Sequence, residues 1–198
     1  MQKISKPAIF AATLGPIQSV AGWAIAGALW PGYDPIRKTI SDLAADDSPV
    51  QVIQTSFFVL GGVLSLIAAI YAKSLAMPGR VVIFLGGICT FGFAYFTTPS
   101  QDSSSEWHRI FAIASFVLFS AWPLFSMRIS KEYPWVLRPI GSIAATLLFT
   151  IISLWFLSTW TNPESTNVGL VERVIATAQT LYLSIVIWIC WLRGKQVA

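Results

Sequence analysis

The stretch VQVIQTSFFVLGGVLSLIAAIYA, Val50 to Ala72, runs its whole length without a charged side chain. A helix crosses the hydrocarbon core of a bilayer with about 20 mostly apolar residues, so this run reads as a transmembrane span. The alternative, a strand of a closed barrel, needs period-two alternation of polar and apolar residues. That alternation is absent.

Working outward, five more runs have the same character: Ala8 to Trp30, Val81 to Thr98, His108 to Met127, Pro139 to Trp160 and Leu170 to Leu192. Charged or Pro/Ser-rich stretches separate them. The 198-residue chain is 55% hydrophobic and 11% charged, against about 25% charged in soluble domains, and its mean hydropathy is +0.67. The expectation is an all-α polytopic membrane protein: a single domain over residues 1–198, a bundle of six transmembrane helices. No small-residue cleavage site ends the first run, so it reads as a span of the mature protein rather than a signal peptide. Cys89 and Cys190 lie inside apolar runs and read as packing residues.

Lysine and arginine in the short loops set the orientation. With the N-terminus inside, that side holds Lys3, Lys6, Lys73, Arg80, Arg128, Lys131, Arg138, Arg193 and Lys195, nine of the thirteen basic residues. Both termini are therefore expected in the cytoplasm of a multi-pass cell-membrane protein. All acidic residues but Glu132 fall on the other side, which makes the outer face chemically distinct.

The first outer loop, GYDPIRKTISDLAADDSP from Gly32 to Pro49, carries most of that chemistry. Asp34-Pro35 reads as a helix start, cap followed by proline. A short amphipathic helix from Pro35 to about Ala44 would put Ile36, Ile40 and Leu43 on one face. Asp42 would then sit at its C-terminal end, where the dipole disfavours a carboxylate. Arg37, Ser41 and Asp42 are expected to turn inward towards His108 and Arg173, with Asp46 and Asp47 solvated. In the second outer loop Ser103 and Glu106 fit a capping box, placing His108, the only histidine, and Arg109 in the first turn of the fourth span. In the third, Thr166 or Asn167 caps the sixth span, and Glu172-Arg173 enter it, an ionisable pair that is costly in lipid unless it faces the bundle interior.

Three spans thus point their helix N-termini outward, near Arg37, Lys38, Arg109 and Arg173. Free N–H groups with arginines suit an anion such as a phosphate or carboxylate. The expected ligand-binding set is Arg37, Ser41, Asp42, His108, Arg109, Glu172 and Arg173. Catalytic candidates are His108, Ser41, Asp42 and Glu172.

PGYDPIRKTISDLAADDSP, FTTPSQDSSSEWHRIFA and GLVERV together resemble the bacterial and archaeal membrane-protein family DUF998, a domain of unknown function. The residues carrying the likeness are Gly32-Tyr33, Ile40-Ser41-Asp42-Leu43, Ser48-Pro49, Pro99 with Asp102, His108, and Gly169-Leu170 with Glu172-Arg173. The Pro99 to Asp102 spacing is one longer than the family pattern. A more distant similarity is to the eukaryotic DRAM/FRAG/SFK group, linked to lipid remodelling, phospholipid asymmetry and autophagy. The resemblance implies a six-helix bundle with a lipid-related role and supplies no reaction.

Three readings follow. The first is a lipid-headgroup binder that helps to remodel or move lipids, its partners membrane lipids or a small anionic ligand. The second is a metal-independent hydrolase or acyltransferase using His108 with Asp42 or Glu172, and Ser41 as nucleophile. It requires Ser41 within hydrogen-bond reach of His108. One histidine cannot build the three-histidine zinc site of the alkaline-ceramidase type, so no metal is expected, and neither a cofactor nor a nucleic-acid partner. The third, a transporter, expects ionisable groups near the midplane, where all six runs lack them.

Overall fold

The computed structural model describes residues 4–101, 103 and 105–196. Seven α-helices follow in chain order: α1 Lys6–Ala28, α2 Ile40–Leu43, α3 Gln51–Tyr71, α4 Met77–Tyr95, α5 Glu106–Phe125, α6 Pro139–Trp160 and α7 Val168–Gln196. All but α2 are long and apolar enough to cross a membrane. Among the described residues there is no strand. Prolines open α1, α4 and α6, where a missing N–H costs nothing.

The six long helices form a closed ring. Each packs on its chain neighbours, and α1 closes the circle against α7. Small residues set the close approaches: a Cβ on Gly62 would meet the ring of Phe91, and one on Gly87 the backbone of Gly62, so α3 and α4 touch nearly backbone to backbone.

The two ends of the ring are closed differently. At the end carrying the termini, Leu75, Trp122, Leu137, Val186, Ile187 and Cys190 are buried in one apolar cluster. Around it arginines satisfy carbonyls in the last turn of α3, which lack an intrahelical donor, and in the loop that follows. Arg80 donates to the carbonyls of Ala69 and Ile70, both at 2.6 Å, and Arg128 to that of Leu75 at 3.1 Å. Trp122 is fully buried here.

At the opposite end the segment between α1 and α3 folds over the ring, but not as one helix from Pro35 to Ala44. Residues 35–37 form a turn, and α2 is a single helical turn. The cause lies in the backbone hydrogen bonds. The Asp34 carboxylate accepts from the N–H groups of Ile36 and Arg37, at 2.9 and 3.4 Å. The carbonyls that would continue a helix are taken by α7: that of Ile36 by the N–H of Leu170 at 3.0 Å, and those of Pro35 and Lys38 by the Arg173 guanidinium, at 2.8 and 2.9 Å. Thr39 then caps a new start. Its hydroxyl accepts from the N–H of Asp42 at 3.1 Å, and the Asp42 carboxylate accepts from the N–H of Thr39 at 2.7 Å.

Two expectations are corrected by this capping box. Asp42 sits in the first turn of its helix, where the dipole favours a carboxylate. Ile36 lies off the buried face, half exposed, while Ile40 and Leu43 are buried. Asp46 is also more than a solvated residue: its carboxylate accepts from Thr97 and Gln51, tying this loop to the end of α4. In the next loop the cap of α5 is Ser105, not Ser103; its hydroxyl accepts from the N–H of His108, and Ser103 bonds Ser100 instead. Lys3 and Asp102 lie outside the described residues.

Candidate functional site

Arg173 is buried one turn into α7. Besides Pro35 and Lys38 it donates to the Gly169 carbonyl at 2.8 Å, and through Nη2 to the Tyr33 hydroxyl at 2.5 Å. The guanidinium lies over the rings of Trp23 and Tyr33, 5.3 and 5.6 Å from their centroids. A planar fork with several fixed donors suits this task better than a lysine would. Tyr33 in turn donates to the carbonyl of Thr39 at 2.7 Å, and burial holds its phenol protonated, well above the ordinary range. Arg173 therefore acts as a clamp on the α2 segment, with its Nη donors met inside the protein.

Gly169 makes the clamp possible. A Cβ there would collide with the Lys38 carbonyl oxygen and stand 2.8 Å from that of Pro35.

Beside the clamp, α2 faces α5. His108 is buried, and its Nδ1 meets the carbonyl oxygens of Phe93 and Phe96 at 3.0 and 2.9 Å. Carbonyls only accept, so Nδ1 carries the proton, and in the neutral ring Nε2 is left as an acceptor. Ser41 Oγ lies 3.0 Å from that nitrogen. Glu172 is buried as well. Its Oε2 accepts from the N–H of Ile40, the residue before Ser41. Asp42 stays beside Thr39, its carboxyl raised above the ordinary range by burial, with the Thr39 hydrogen bonds opposing that shift.

The charges at the rim differ. Arg37 points to water, with 69% of its side chain exposed and Asp34 3.7 Å away; it does not turn inward beside Ser41. Arg109 is exposed as well. Lys38 donates to the Gln101 side chain and lies 5.4 Å from the Trp30 ring centroid.

These residues surround a pocket of about 570 Å³, lined by Arg37, Lys38, Ser41, Asp42, His108, Arg109 and Glu172 together with residues of the second outer loop and the outer end of α6. Six of the seven residues expected to bind ligand line it; Arg173 does not. A second cavity of about 150 Å³ lies inside the ring below α2, walled by every ring helix except α6 and mainly by apolar side chains such as Phe57, Leu64, Phe93 and Leu183. Ser41, Ala112, Phe116 and Glu172 line both spaces.

A family model described as a protein of unknown function, DUF998, matches residues 13–189. The chain belongs to the DUF998 family. No curated protein and no solved structure matches it. The matched range takes in all the candidate residues of this DUF998 protein and the lining of both cavities except Ala11 and Ala12.

Three residues of the inner cavity escape a reading based on ionisable groups: Gln18, Gln54 and Gln179, all buried. Gln179 donates to the Phe116 carbonyl and the Ser120 hydroxyl, at 3.0 and 2.9 Å. The side-chain oxygens of Gln18 and Gln54 have no partner among the described residues. The signal was present in the sequence, since an amide inside an apolar run is costly unless it faces the bundle interior. Among the described residues no cluster of His, Cys, Asp and Glu could hold a metal.

Proposed function

We propose that this DUF998 protein holds one membrane amphiphile at its α2 end. The apolar tail occupies the ring cavity, and an anionic headgroup occupies the pocket beside Arg37, Lys38 and Arg109. The observation that carries this reading is the meeting of the two spaces at Ser41 and Glu172: an apolar chamber and a cation-rimmed pocket share a wall. Rim lysines and arginines suit a phosphate or carboxylate headgroup. The distribution of basic residues supports an α2 end that faces away from the cytoplasm in the cell membrane, with both termini inside.

Native mass spectrometry of the purified protein tests the binding. The wild type is expected to carry a defined lipid mass, and the double variant Arg37→Ala, Arg109→Ala to retain several-fold less. Both sites are exposed, so the fold survives these changes. No bound lipid in either protein would refute the reading.

The 3.0 Å contact between Ser41 and His108 favours a second reading beside binding, acyl chemistry without a metal.

A further inference from the structure

We infer that Ser41 is an acyl-transfer nucleophile and that the substrate is an ester-linked amphiphile held across the two cavities. The inference rests on the lipid-binding reading. Three features carry it.

The first is a dyad with its tautomer fixed. The carbonyls of Phe93 and Phe96 keep the proton on Nδ1 and orient the ring, the task a carboxylate performs in other serine–histidine sites. Nε2 is thereby aimed at Ser41 Oγ, 3.0 Å away. The second is position. Ser41 is one of four residues that line both spaces. An amphiphile with its chain in the ring cavity and its headgroup among the rim cations carries its ester bond at that boundary. A hydroxyl serving only to fasten α2 to α5 would not need to stand there. The third is a hold on the backbone that carries the hydroxyl. Glu172 accepts from the N–H of Ile40, the residue before Ser41, and lines the same boundary. Glu172 is a positioning residue in this scheme.

The chemistry balances with the ester and water alone. Ser41 Oγ attacks the ester carbonyl carbon while its proton passes to His108 Nε2. The bond from the carbonyl carbon to the alcohol oxygen breaks, and the departing alcohol, which bears the headgroup, takes that proton from His108. Water then attacks the acyl-serine; His108 accepts one of its protons and returns it to Ser41 Oγ as the fatty acid leaves. Nothing is oxidised or reduced.

Two measurements on the full-length protein test this. In the first, an alkyl fluorophosphonate is added in detergent, and the labelled peptide is located by mass spectrometry. The wild type is expected to be labelled on Ser41, Ser41→Ala not at all, and His108→Gln about 100-fold more slowly, the lower end of what a general base contributes. Glutamine at 108 keeps an N–H for the Phe93 and Phe96 carbonyls. Thermal melting confirms that each variant is folded, and Ser41→Gly, which also lacks the hydroxyl, replaces Ser41→Ala if the latter is not. In the second, fatty-acid release is followed in vesicles of dioleoylphosphatidylglycerol and dioleoylphosphatidylcholine, with release expected from the wild type and lost in both variants. Folded wild type without label on Ser41, or release that survives in Ser41→Ala, would overturn the inference. Retained lipid without labelling removes the chemistry and leaves the binding reading standing; absence of both removes the two together.

Discussion

The two ends of the ring use arginine for the same task and reach opposite results. At the termini end Arg80 satisfies carbonyls in the last turn of α3 and Arg128 one in the short loop after it, beside a packed apolar plug that includes Trp122 and Leu137. At the α2 end Arg173 also satisfies carbonyls, among them those of a longer segment drawn across the ring. Behind that loop the ring stays hollow. A buried arginine beside helix N-termini is therefore not by itself an anion site; here its Nη donors are already used, and the cations left for a ligand are those at the rim.

The largest effect that sharpens this contrast is expected from Trp122→Ala. Removing a fully buried indole from the plug should cost about 3–5 kcal/mol in a denaturation experiment, with lipid retention by the folded fraction unchanged. Loss of lipid at intact stability would show that the two ends are coupled. Arg173→Ala comes next. It strands several carbonyls, so about 3 kcal/mol should be lost, and Arg173→Lys should recover little, because an ammonium cannot span Pro35, Lys38 and Tyr33 together. Unchanged melting of Arg173→Ala would break the comparison outright. Gly169→Ala should cost about 1–3 kcal/mol by pushing the Lys38 carbonyl off α7, and should loosen the α2 segment first, as seen in its amide exchange.

The smallest expected effect is one of pH. The folded-state value of Asp42 lies above its ordinary 3.8. From about that value upward the unfolded chain ionises Asp42 before the folded protein does. Its contribution is thus most favourable at the acidic end and is lost as pH rises through the folded value. Asp42→Asn keeps an oxygen for the Thr39 N–H and removes the titration. The melting temperature of wild type minus that of Asp42→Asn should therefore fall as pH climbs above 3.8. A flat difference would show that the capping box offsets burial completely.

The spans were legible because bilayer crossing is a local property: a long apolar run such as Val50 to Ala72 has few other ways to satisfy its backbone. The capping signals of the loops were also local, and Asp34 does bind the N–H groups that follow it. The length of α2 was not legible, because the carbonyls of Pro35 and Lys38 just ahead of it are claimed by Arg173, 135 positions from Lys38. The candidate residues were visible as types, whereas the contact between Ser41 and His108, 67 positions apart, depends on how the α2 segment settles on the ring. The inner cavity was hidden for a different reason: its polar markers are uncharged glutamines, which a search for ionisable groups passes over.

Phosphatidylglycerol bearing a diazirine on one acyl chain, incorporated with the protein in nanodiscs and photolysed, tests most directly whether a lipid chain enters the ring below α2 while its headgroup stays at the rim. The expected insertions map to the cavity wall, to residues such as Gln54, Phe93 and Leu183, and decline when Arg37 and Arg109 are replaced by alanine. Insertions confined to the outward face of the ring, at Ile17, Leu148 and Ile151, which are more than half exposed, would contradict it.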